Sequence, residues 1–368
     1  MPSVSIIGTR GYPSYYGGFE TCVRKLAPYL ADDGWTVTVY GRPGDVKLDD
    51  PDRDRRIHSV MTPGVKSKSL STLSFGLTAT LHALMNKPDV VLFMNVANGF
   101  FMPLLRLKRI PIAINVDGIE WDREKWGKLA KWTFHMGACL SARFATTIIC
   151  DSTVISRKWK TEFKRENEYI PYGGDFIDEI LPIEPGLTHR GYALMVARFV
   201  PENTIGPFFD AIPQIVQTHP VVIVGSSGYG NELDDRAQVL SDSNPNIRWF
   251  GHLSDDRRLQ SLWQHCGAYF HGHSVGGTNP ALVQAMALGA PVVARDTVYN
   301  REVLEDSGLF VSPDPNVIAN EITALLDSPS LGGELSSRAL QRAHEHYSWA
   351  GVNQRYAETL LRLATSIH

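Results

Sequence analysis

Short apolar runs alternate with helical stretches through the first half of the chain. Val4–Gly8 is an apolar run that ends in glycine, which indicates a buried strand, and Glu20–Leu30 has its apolar residues at helical spacing. A longer helical stretch covers Lys125–Ala145. The other strand-like runs are Thr36–Tyr40, Val90–Met94, Ile112–Val116 and Thr146–Cys150. Strands that alternate with helices predict β–α–β units and a parallel, doubly wound sheet.

The second half of the chain repeats this pattern. Its strand-like runs are Tyr192–Ala197, Val221–Gly225, Ile247–Gly251, Ala268–His271 and Pro291–Ala294. Glycine and proline cluster from Pro171 to Gly186, which indicates a domain boundary. The sequence therefore predicts an α/β protein of two Rossmann-like domains, residues 1–180 and 181–348, that face one another across a cleft. Ligands of open α/β sheets bind beyond the carboxyl ends of the strands, so we expect the chemistry in the loops that follow strands.

Composition narrows the class of protein. The 368 residues are 43% apolar and 20% charged, which is typical of a globular enzyme and excludes disordered and collagen-like proteins. The four cysteines form no C-x-x-C pair, so a reducing compartment is the simplest interpretation and a disulfide framework is excluded. We expect no signal peptide and no membrane span, because the longest apolar stretch, Val91–Leu105, is short and polar-interrupted. The expected location is the cytoplasm.

Charge is distributed unevenly between the two halves. Residues 1–175 carry 24 Lys and Arg against 18 Asp and Glu, whereas the remainder carries 12 against 21. The first half is therefore basic and the second acidic, which indicates that only one domain faces an anionic surface or ligand.

Two glycine-rich loops are candidate anion-binding sites. Gly8–Glu20 joins a strand to a helix and contains Gly17 and Gly18, and His271–Pro280 does the same with Gly276 and Gly277. Backbone N–H groups at such a helix start suit a phosphate. The alternative for the first loop is a plain glycine turn with Glu20 at the helix start, and for the second loop a Gly-Gly turn without function. The pattern is not G-x-G-x-x-G, which disfavours a dinucleotide site.

Three further patterns bear on the chemistry. Arg198, after the first strand of the second domain, offers a rigid fork for phosphate oxygens, or else forms a surface ion pair with Glu202. His271 and His273 have no third partner at metal-ligand spacing, so we expect no metal. Gly225–Gly230 lacks the Lys of a P-loop, which disfavours ATP hydrolysis.

Taken together, these loops resemble the GT-B glycosyltransferases of the retaining family 4 type over nearly the whole chain. The opening I-I-G-T-R-G-Y-P…G-G-F-E-T is similar to the bacterial (β-1,4-)rhamnosyltransferase subgroup. The other matching strings are Val116–Trp121, Ala197–Asn203, His271–Pro280 and Tyr347–Trp349. The resemblance implies a nucleotide sugar on the C-terminal domain, an acceptor mainly on the N-terminal domain, and a final helix, about 349–368, that crosses back to the N-terminal domain.

The resemblance also implies roles for individual residues. Arg198 and the Gly276–Pro280 backbone would face the donor diphosphate, and Asp117 and Arg198 are the candidate catalytic residues. Glu120, Trp121 and Trp126 would lie on the acceptor or membrane side. The implied donor-binding residues are Arg10, Gly17, Gly18, Arg198, Asn203, Gly251, His252, His273, Gly276, Gly277, Thr278, Asn279 and Gln284.

Four positions depart from the broad family. Asn203 replaces a Lys, as it does in the rhamnosyltransferase subgroup, and Gly276 and Gln284 stand where the family has two glutamates. Glutamine can still bond a ribose but carries no charge, so weaker ribose binding or a deoxyribose is expected. Asp117 replaces a His that contacts the C6 region of hexoses. A 6-deoxy sugar needs no such partner, which favours dTDP-rhamnose, although Asp117 could instead orient the acceptor or form a turn.

The expected reaction is sugar transfer to a saccharide acceptor, with retention and without a cofactor or metal, in cell-surface polysaccharide assembly. Basic residues (Lys66, Lys68, Arg106, Lys108 and Arg109) and tryptophans near Lys125, Lys128 and Lys131 suit an anionic membrane, or else form a solvated helix with core tryptophans. The acceptor would then be linked to polyprenyl diphosphate at the inner leaflet. Nucleic acid is disfavoured. The alternatives are a UDP- or GDP-hexose donor, a nucleotide-sugar epimerase and a non-catalytic binding subunit.

Overall fold

The computed structural model describes residues 1–15, 17–65, 71–116, 118–123, 126–228 and 230–366. The chain divides into two compact units. The N-terminal unit is Met1–Tyr172 together with Trp349–His368, and the C-terminal unit is Gly173–Ser348. The division falls inside the glycine- and proline-rich segment, at its start rather than at residue 180.

The N-terminal unit is built on a seven-stranded parallel sheet in the order β3-β2-β1-β4-β5-β6-β7. Its strands are β1 (Ser3–Ile7), β2 (Thr36–Gly41), β3 (His58–Met61), β4 (Val90–Met94), β5 (Ile112–Asn115), β6 (Thr147–Cys150) and β7 (Glu168–Tyr169). The central strands β4 and β5 are buried along their whole length. Continuous apolar runs in a parallel sheet predict this burial on both faces.

Helices connect these strands. They are α1 (Gly18–Asp32), α2 (Ser71–Asn86), α3 (Met102–Leu107), α4 (Lys128–Phe144) and α5 (Thr153–Phe163), with 3-10 turns at Val96–Phe101 and Glu120–Asp122. α1 buries Val23, Leu26 and Leu30, the face that its helical spacing predicts. Ser152 caps the start of α5, and its hydroxyl accepts from two backbone N–H groups of the first turn.

The C-terminal unit is built on a six-stranded parallel sheet in the order β10-β9-β8-β11-β12-β13. Its strands are β8 (Ala193–Val196), β9 (Val221–Val224), β10 (Ile247–Trp249), β11 (Ala268–His271), β12 (Val292–Arg295) and β13 (Gly308–Val311). Its helices are α6 (Ile205–Ile215), α7 (Glu232–Ser243), α8 (Asp256–His265), α9 (Pro280–Ala287), α10 (Val298–Leu304), α11 (Pro315–Leu326) and α12 (Pro329–His346), with a 3-10 turn at Pro201–Asn203. The predicted pair of parallel α/β domains is confirmed.

The C-terminal helix α13 (Trp349–Thr365) belongs to the N-terminal unit. The Asn115 Nδ2 group at the end of β5 donates to the Tyr356 hydroxyl at 2.6 Å. Asn353 Nδ2 donates to the carbonyl oxygen of Lys25 in α1 at 3.2 Å, and Thr359 Oγ1 donates to Glu168 Oε2 at 2.6 Å. The helix is therefore held to three separate elements of that unit, as the resemblance implies.

Candidate functional site

Two loops of the C-terminal unit leave the sheet side by side, because β8 and β11 are neighbours at the point where the strand order reverses. That point is where open α/β sheets bind ligands. Thr204 Oγ1 donates to the carbonyl oxygen of Gly272 at 2.6 Å. The Ser274 N–H donates to the carbonyl oxygen of Glu202 at 2.9 Å. The loop after β8 and the loop after β11 are thus bonded to each other.

Arg198 lies at the start of the loop after β8, and its side chain is exposed. Asn203 is buried, and its Nδ2 group donates to the Arg198 carbonyl oxygen at 2.9 Å, which fixes the backbone at this position. Within the described residues the Arg198 guanidinium forms no ion pair, with Glu202 or with any other carboxylate. The fork of N–H donors is therefore available to an anionic ligand.

The glycine loop after β11 ends at the N-terminus of α9. Gly276 has a φ of 110°, a conformation that favours glycine, and Asn279 caps the helix by accepting from the Ala281 N–H at 3.0 Å. Among the described residues, no hydrogen bond uses the N–H of Gly276 or Gly277. Thr278 is buried at the same turn. Two N–H donors beside a helix start form an arrangement that suits phosphate oxygens.

His271 and His273 lie at the end of β11 with their rings stacked, 4.4 Å between centroids. The Tyr269 hydroxyl is 3.1 Å from His271 Nδ1. Burial lowers the pKa of His271 well below its usual value, and the neighbouring His273 lowers it further, so this ring is neutral. Asn300 Nδ2 donates to the His273 carbonyl oxygen at 2.9 Å. No metal-binding cluster of three or more His, Cys, Asp or Glu occurs in the described ranges, and the expected absence of a metal stays a prediction.

The loop after β10 carries Gly251 and His252, two of the implied donor-binding residues. Gly251 has a φ of 60°, and its carbonyl oxygen accepts from the Gly225 N–H at 2.7 Å. A Cβ at Gly225 would lie 1.8 Å from the Ala197 carbonyl oxygen, so only glycine fits between these loops. His252 is exposed. The ends of β8, β9 and β10 therefore pack closely, and the His252 side chain faces solvent beside them.

Gln284 lies on α9 and does not extend into an open site. Its side-chain amide is bonded to the backbone of Asp175, with both contacts at 2.9 Å. The structure thus places the residue predicted to hold a ribose in a contact with the first segment of its own unit. The sequence offered no signal for this contact, because the two residues are far apart along the chain.

In the N-terminal unit, side chains of α1 and of the β2–β3 connection hold the loop between β1 and α1. The Arg10 N–H donates to Glu20 Oε1 at 3.0 Å, and the Arg10 guanidinium pairs with Asp45 at 3.3 Å. Gly17 is the N-cap of α1 and Gly18 its first residue. The predicted donor roles of Arg10, Gly17 and Gly18 remain predictions.

The residues assigned to the acceptor or membrane side are mostly enclosed. Trp126 Nε1 donates to Glu120 Oε2 at 2.8 Å, and Arg123 pairs with Glu120 Oε1 at 3.0 Å. Trp121 is buried against Trp159 and its neighbours, so its ring is not available to a membrane. By contrast, Trp132 is 59% exposed. Asp117, Lys66, Lys68 and Lys125 lie outside the described residues.

A pocket of the N-terminal unit, with Arg42, Thr62 and Thr72 among its lining residues, has no counterpart in the sequence-based expectations. Thr62 follows β3, a short strand with no fully buried residue, which the apolar pattern does not predict. Across the described part of the chain, no helix is long and apolar enough to cross a membrane.

Two family models match the chain, one in each half. The description "Glycosyl transferase 4-like domain" matches residues 17–173, and "Glycosyl transferases group 1" matches residues 190–328. A phosphatidyl-myo-inositol mannosyltransferase from Mycolicibacterium smegmatis is 28% identical over 211 residues, which are 54% of this chain and 53% of the relative. The O-antigen chain mannosyltransferase B of Escherichia coli is 24% identical over 196 residues, 51% and 50% of the two chains. The chain spans about half the length of these curated relatives.

Solved structures match over the full length. Sucrose-phosphate synthase from Thermosynechococcus elongatus has a TM-score of 0.80 at 17% identity, covering 99% of both chains. Anabaena HepE in complex with UDP has a TM-score of 0.74 at 18% identity, covering 98% of this chain and 100% of that chain. Likeness at this identity shows the fold, and the predicted GT-B class is confirmed. With its two halves matched by these two domain models, the chain belongs to the glycosyltransferases that join a glycosyl transferase 4-like domain to a group 1 domain.

Proposed function

We propose that the protein transfers a sugar from a nucleotide-sugar donor to a saccharide acceptor. The observation that carries this proposal is that two bonded loops at the switch point carry the exposed Arg198 guanidinium, which forms no ion pair within the described residues, and the Gly276–Asn279 helix start. A diphosphate offers the oxygens that both elements bind. The mannosyltransferase relatives and the UDP-bound structural neighbour support the same class of donor.

In this proposal, Arg198 and the glycine-loop N–H groups stabilise the diphosphate as it leaves the sugar. Negative charge builds on that group as the glycosidic bond to it breaks, so donors aimed at it bind the transition state more tightly than the ground state. Arg198 and the N–H groups of Gly276 and Gly277 meet this requirement without a metal. The proposal includes retention of the anomeric configuration and independence of metal ions. Metal independence requires full activity in the presence of EDTA.

The donor sugar has two candidates. The resemblance to rhamnosyltransferases and the Asp117 position favour dTDP-rhamnose. The names of the relatives favour a hexose instead, since those with 28% and 24% identity are mannosyltransferases, and HepE has been solved with UDP-glucose. Transfer with dTDP-rhamnose, GDP-mannose and UDP-glucose compared side by side separates these candidates.

The proposed acceptor is a polyprenyl-diphosphate-linked saccharide at the inner face of the cytoplasmic membrane. The exposed Trp132 ring lies on α4 one residue from Lys131 and near Lys128, and interfacial aromatics among cations suit an anionic bilayer. A relative that acts on phosphatidyl-myo-inositol supports a lipid-bearing acceptor.

Turnover tests the proposal directly. Purified protein is incubated with each nucleotide sugar, with and without a lipid-linked saccharide extract, and released nucleoside diphosphate is measured. Release that needs both donor and acceptor supports glycosyl transfer. A change of the donor sugar without acceptor indicates epimerisation, and binding without turnover indicates a non-catalytic subunit; either result contradicts the proposal.

A further inference from the structure

Thr204, in the loop after β8, has a backbone conformation that is rare for its residue type. Its φ of 57° and ψ of 31° lie in the left-handed region, and the residue is buried. A β-branched side chain is strained in that region, whereas glycine adopts it freely. Such strain persists only where the surroundings hold it, and it concentrates at functional sites. Thr204 directly follows Asn203, which fixes the Arg198 backbone, so the strain lies within the candidate site.

The Thr204 hydroxyl does not cap the helix that it precedes. Threonine at a helix N-cap usually accepts from an N–H group of the first turn, but among the described residues no such bond forms at the start of α6. The hydroxyl instead donates to the Gly272 carbonyl oxygen at 2.6 Å and accepts from Arg295 Nη1 at 3.0 Å. One buried hydroxyl therefore joins the loop after β8 to the ends of β11 and β12.

The two loops that meet at Thr204 are in close contact. A Cβ at Gly272 would lie 2.3 Å from the Asn203 carbonyl oxygen and 3.0 Å from the Thr204 Cβ, so a larger residue has no room there. The loop that begins at Gly272 continues to the Gly276–Asn279 helix start. The contact at Thr204 therefore sets where the glycine loop lies relative to the loop of Arg198.

Arg295 is bonded through both its side chain and its backbone. Its Nη1 group donates to Thr204, and its carbonyl oxygen accepts from Asn300 Nδ2 at 2.8 Å. The same Asn300 amide donates to the His273 carbonyl oxygen of the glycine loop at 2.9 Å. The end of β12 is thus connected to the glycine loop at two points, one through Thr204 and one through Asn300.

We propose that Thr204 is a positioning residue for the donor diphosphate. Its hydroxyl, held by Arg295, keeps the glycine loop where the loop N–H groups and the Arg198 guanidinium face the same phosphates. The inference rests on the proposed function, because it assigns two further residues to the binding of that diphosphate, both acting through the loop. The strain at Thr204 supports it, since glycine would fit this backbone without strain but has no hydroxyl.

Three substitutions separate the hydroxyl from the backbone strain. Thr204→Ser keeps the hydroxyl, whereas Thr204→Val removes it and keeps the branched shape. Thr204→Gly removes it but fits the left-handed backbone, so this variant guards against a folding defect of Thr204→Val. Binding of dTDP, UDP, GDP and ADP to the full-length wild type and to each variant is measured by titration calorimetry.

We expect Thr204→Ser to bind the best of the four nucleoside diphosphates as the wild type does. Thr204→Val and Thr204→Gly should each weaken that binding about three- to tenfold, the scale of one neutral hydrogen bond. Thr323→Val, the same change in α11, is the matched control, because the Thr323 hydroxyl has no partner among the described residues. Wild-type affinity in Thr204→Val and Thr204→Gly, or an equal loss in Thr204→Ser, would overturn the proposal.

A double variant tests the link between Thr204 and Arg295. Arg295→Met removes the donor that holds the Thr204 hydroxyl. Because both changes break one link, Thr204→Val combined with Arg295→Met should lose less affinity than the product of the two single losses. A general structural defect has no reason to show this coupling. Two losses that simply multiply would show that the residues act separately, and would overturn the link.

The wild type separates the positioning role from the proposed function. If it binds one of the nucleoside diphosphates and the hydroxyl-free variants bind it equally well, the positioning role alone fails. If the wild type binds none of the four, the proposed function fails and the positioning role with it.

Discussion

Gln284 and Asp175 form a two-point contact within the C-terminal unit. The Asp175 N–H donates to Gln284 Oε1, and Gln284 Nε2 donates to the Asp175 carbonyl oxygen, both at 2.9 Å. The neighbouring Gly174 N–H donates to the Tyr347 carbonyl oxygen at 2.8 Å. Gln284 thereby fixes α9, the helix behind the glycine loop, to the segment with which this unit begins. Only an amide can serve both backbone groups at once, since a carboxylate accepts but does not donate.

Replacing Gln284 by glutamate should therefore destabilise the protein. The carboxylate keeps the bond from the Asp175 N–H but faces the Asp175 carbonyl oxygen without a proton to donate. The expected loss is about 1–3 kcal/mol in the free energy of unfolding, measured by urea titration at neutral pH. Gln217→Glu makes the same change at an exposed position and should stay close to the wild type. Equal stability of the two variants would contradict the two-point contact.

Arg198→Ala should weaken binding of a nucleoside diphosphate without lowering stability. The guanidinium is exposed and forms no ion pair with a described residue, so its removal leaves no buried group unpaired. Loss of a charged hydrogen bond costs about 1.5–3 kcal/mol of binding free energy, measured by titration calorimetry. Arg257→Ala, which removes an exposed pair with Glu179, is the control. Because the effect acts through the phosphates, the unphosphorylated nucleoside should bind both proteins alike; an equal loss for the nucleoside would refute the assignment.

His271 makes stability depend on pH in a defined direction. Burial holds its pKa well below the usual value, so the folded protein keeps the ring neutral while the unfolded chain takes up a proton below about pH 6.5. The unfolded state then binds more protons, and stability falls as the pH drops below that value. His271→Gln should flatten this slope, by up to about 1.4 kcal/mol per pH unit.

Unfolding curves from pH 7 to pH 5 measure that slope. His252→Gln makes the same change at an exposed position of the same unit and is the matched control for the substitution. Identical slopes for His271→Gln and the wild type would show that the ring is protonated in the folded protein.

Tyr356→Phe should destabilise the N-terminal unit, because the Tyr356 hydroxyl accepts the Asn115 side-chain bond within a fully buried contact between α13 and β5. Removing it costs about 1–2 kcal/mol, measured as the free energy of unfolding. Tyr29→Phe, at a partly exposed position of α1, is the comparison. An unchanged stability would show that the bond between Asn115 and Tyr356 does not stabilise the attachment of α13 to β5.

Most of the fold follows from the sequence because buried parallel strands are continuous apolar runs. Val90–Met94 and Ala268–His271 were predicted with the bounds that the structure has. The short edge strands His58–Met61, Glu168–Tyr169 and Gly308–Val311 were missed; the first two mix polar with apolar residues, and the third is only four residues long and begins with glycine. Helix Ser71–Asn86 was also missed, because it carries no charged residue and so lacks the polar face that marks an amphipathic helix.

The candidate site was predictable only in part, for a different reason. The loop glycines and Arg198 could be found in the sequence because they follow predicted strands. Ligands of open α/β sheets bind in those loops, and N–H groups at a helix start suit phosphate. The partners of Gln284 and Trp121 depend on contacts between distant segments, which no local pattern encodes. The same is true of Thr62, which lines a pocket together with residues of α2.

The central claim is that the C-terminal unit binds a nucleotide sugar through its diphosphate, and binding of nucleotides tests it most directly. The melting temperature is measured with dTDP, UDP, GDP and ADP, and then with the sugars of the best nucleotide. A ligand at about 100 times its Kd adds roughly 2.7 kcal/mol of stability, which is readily detected. We expect at least one nucleoside diphosphate to raise the melting temperature of the wild type, and to raise that of Arg198→Ala less. No stabilisation by any of the four would contradict it.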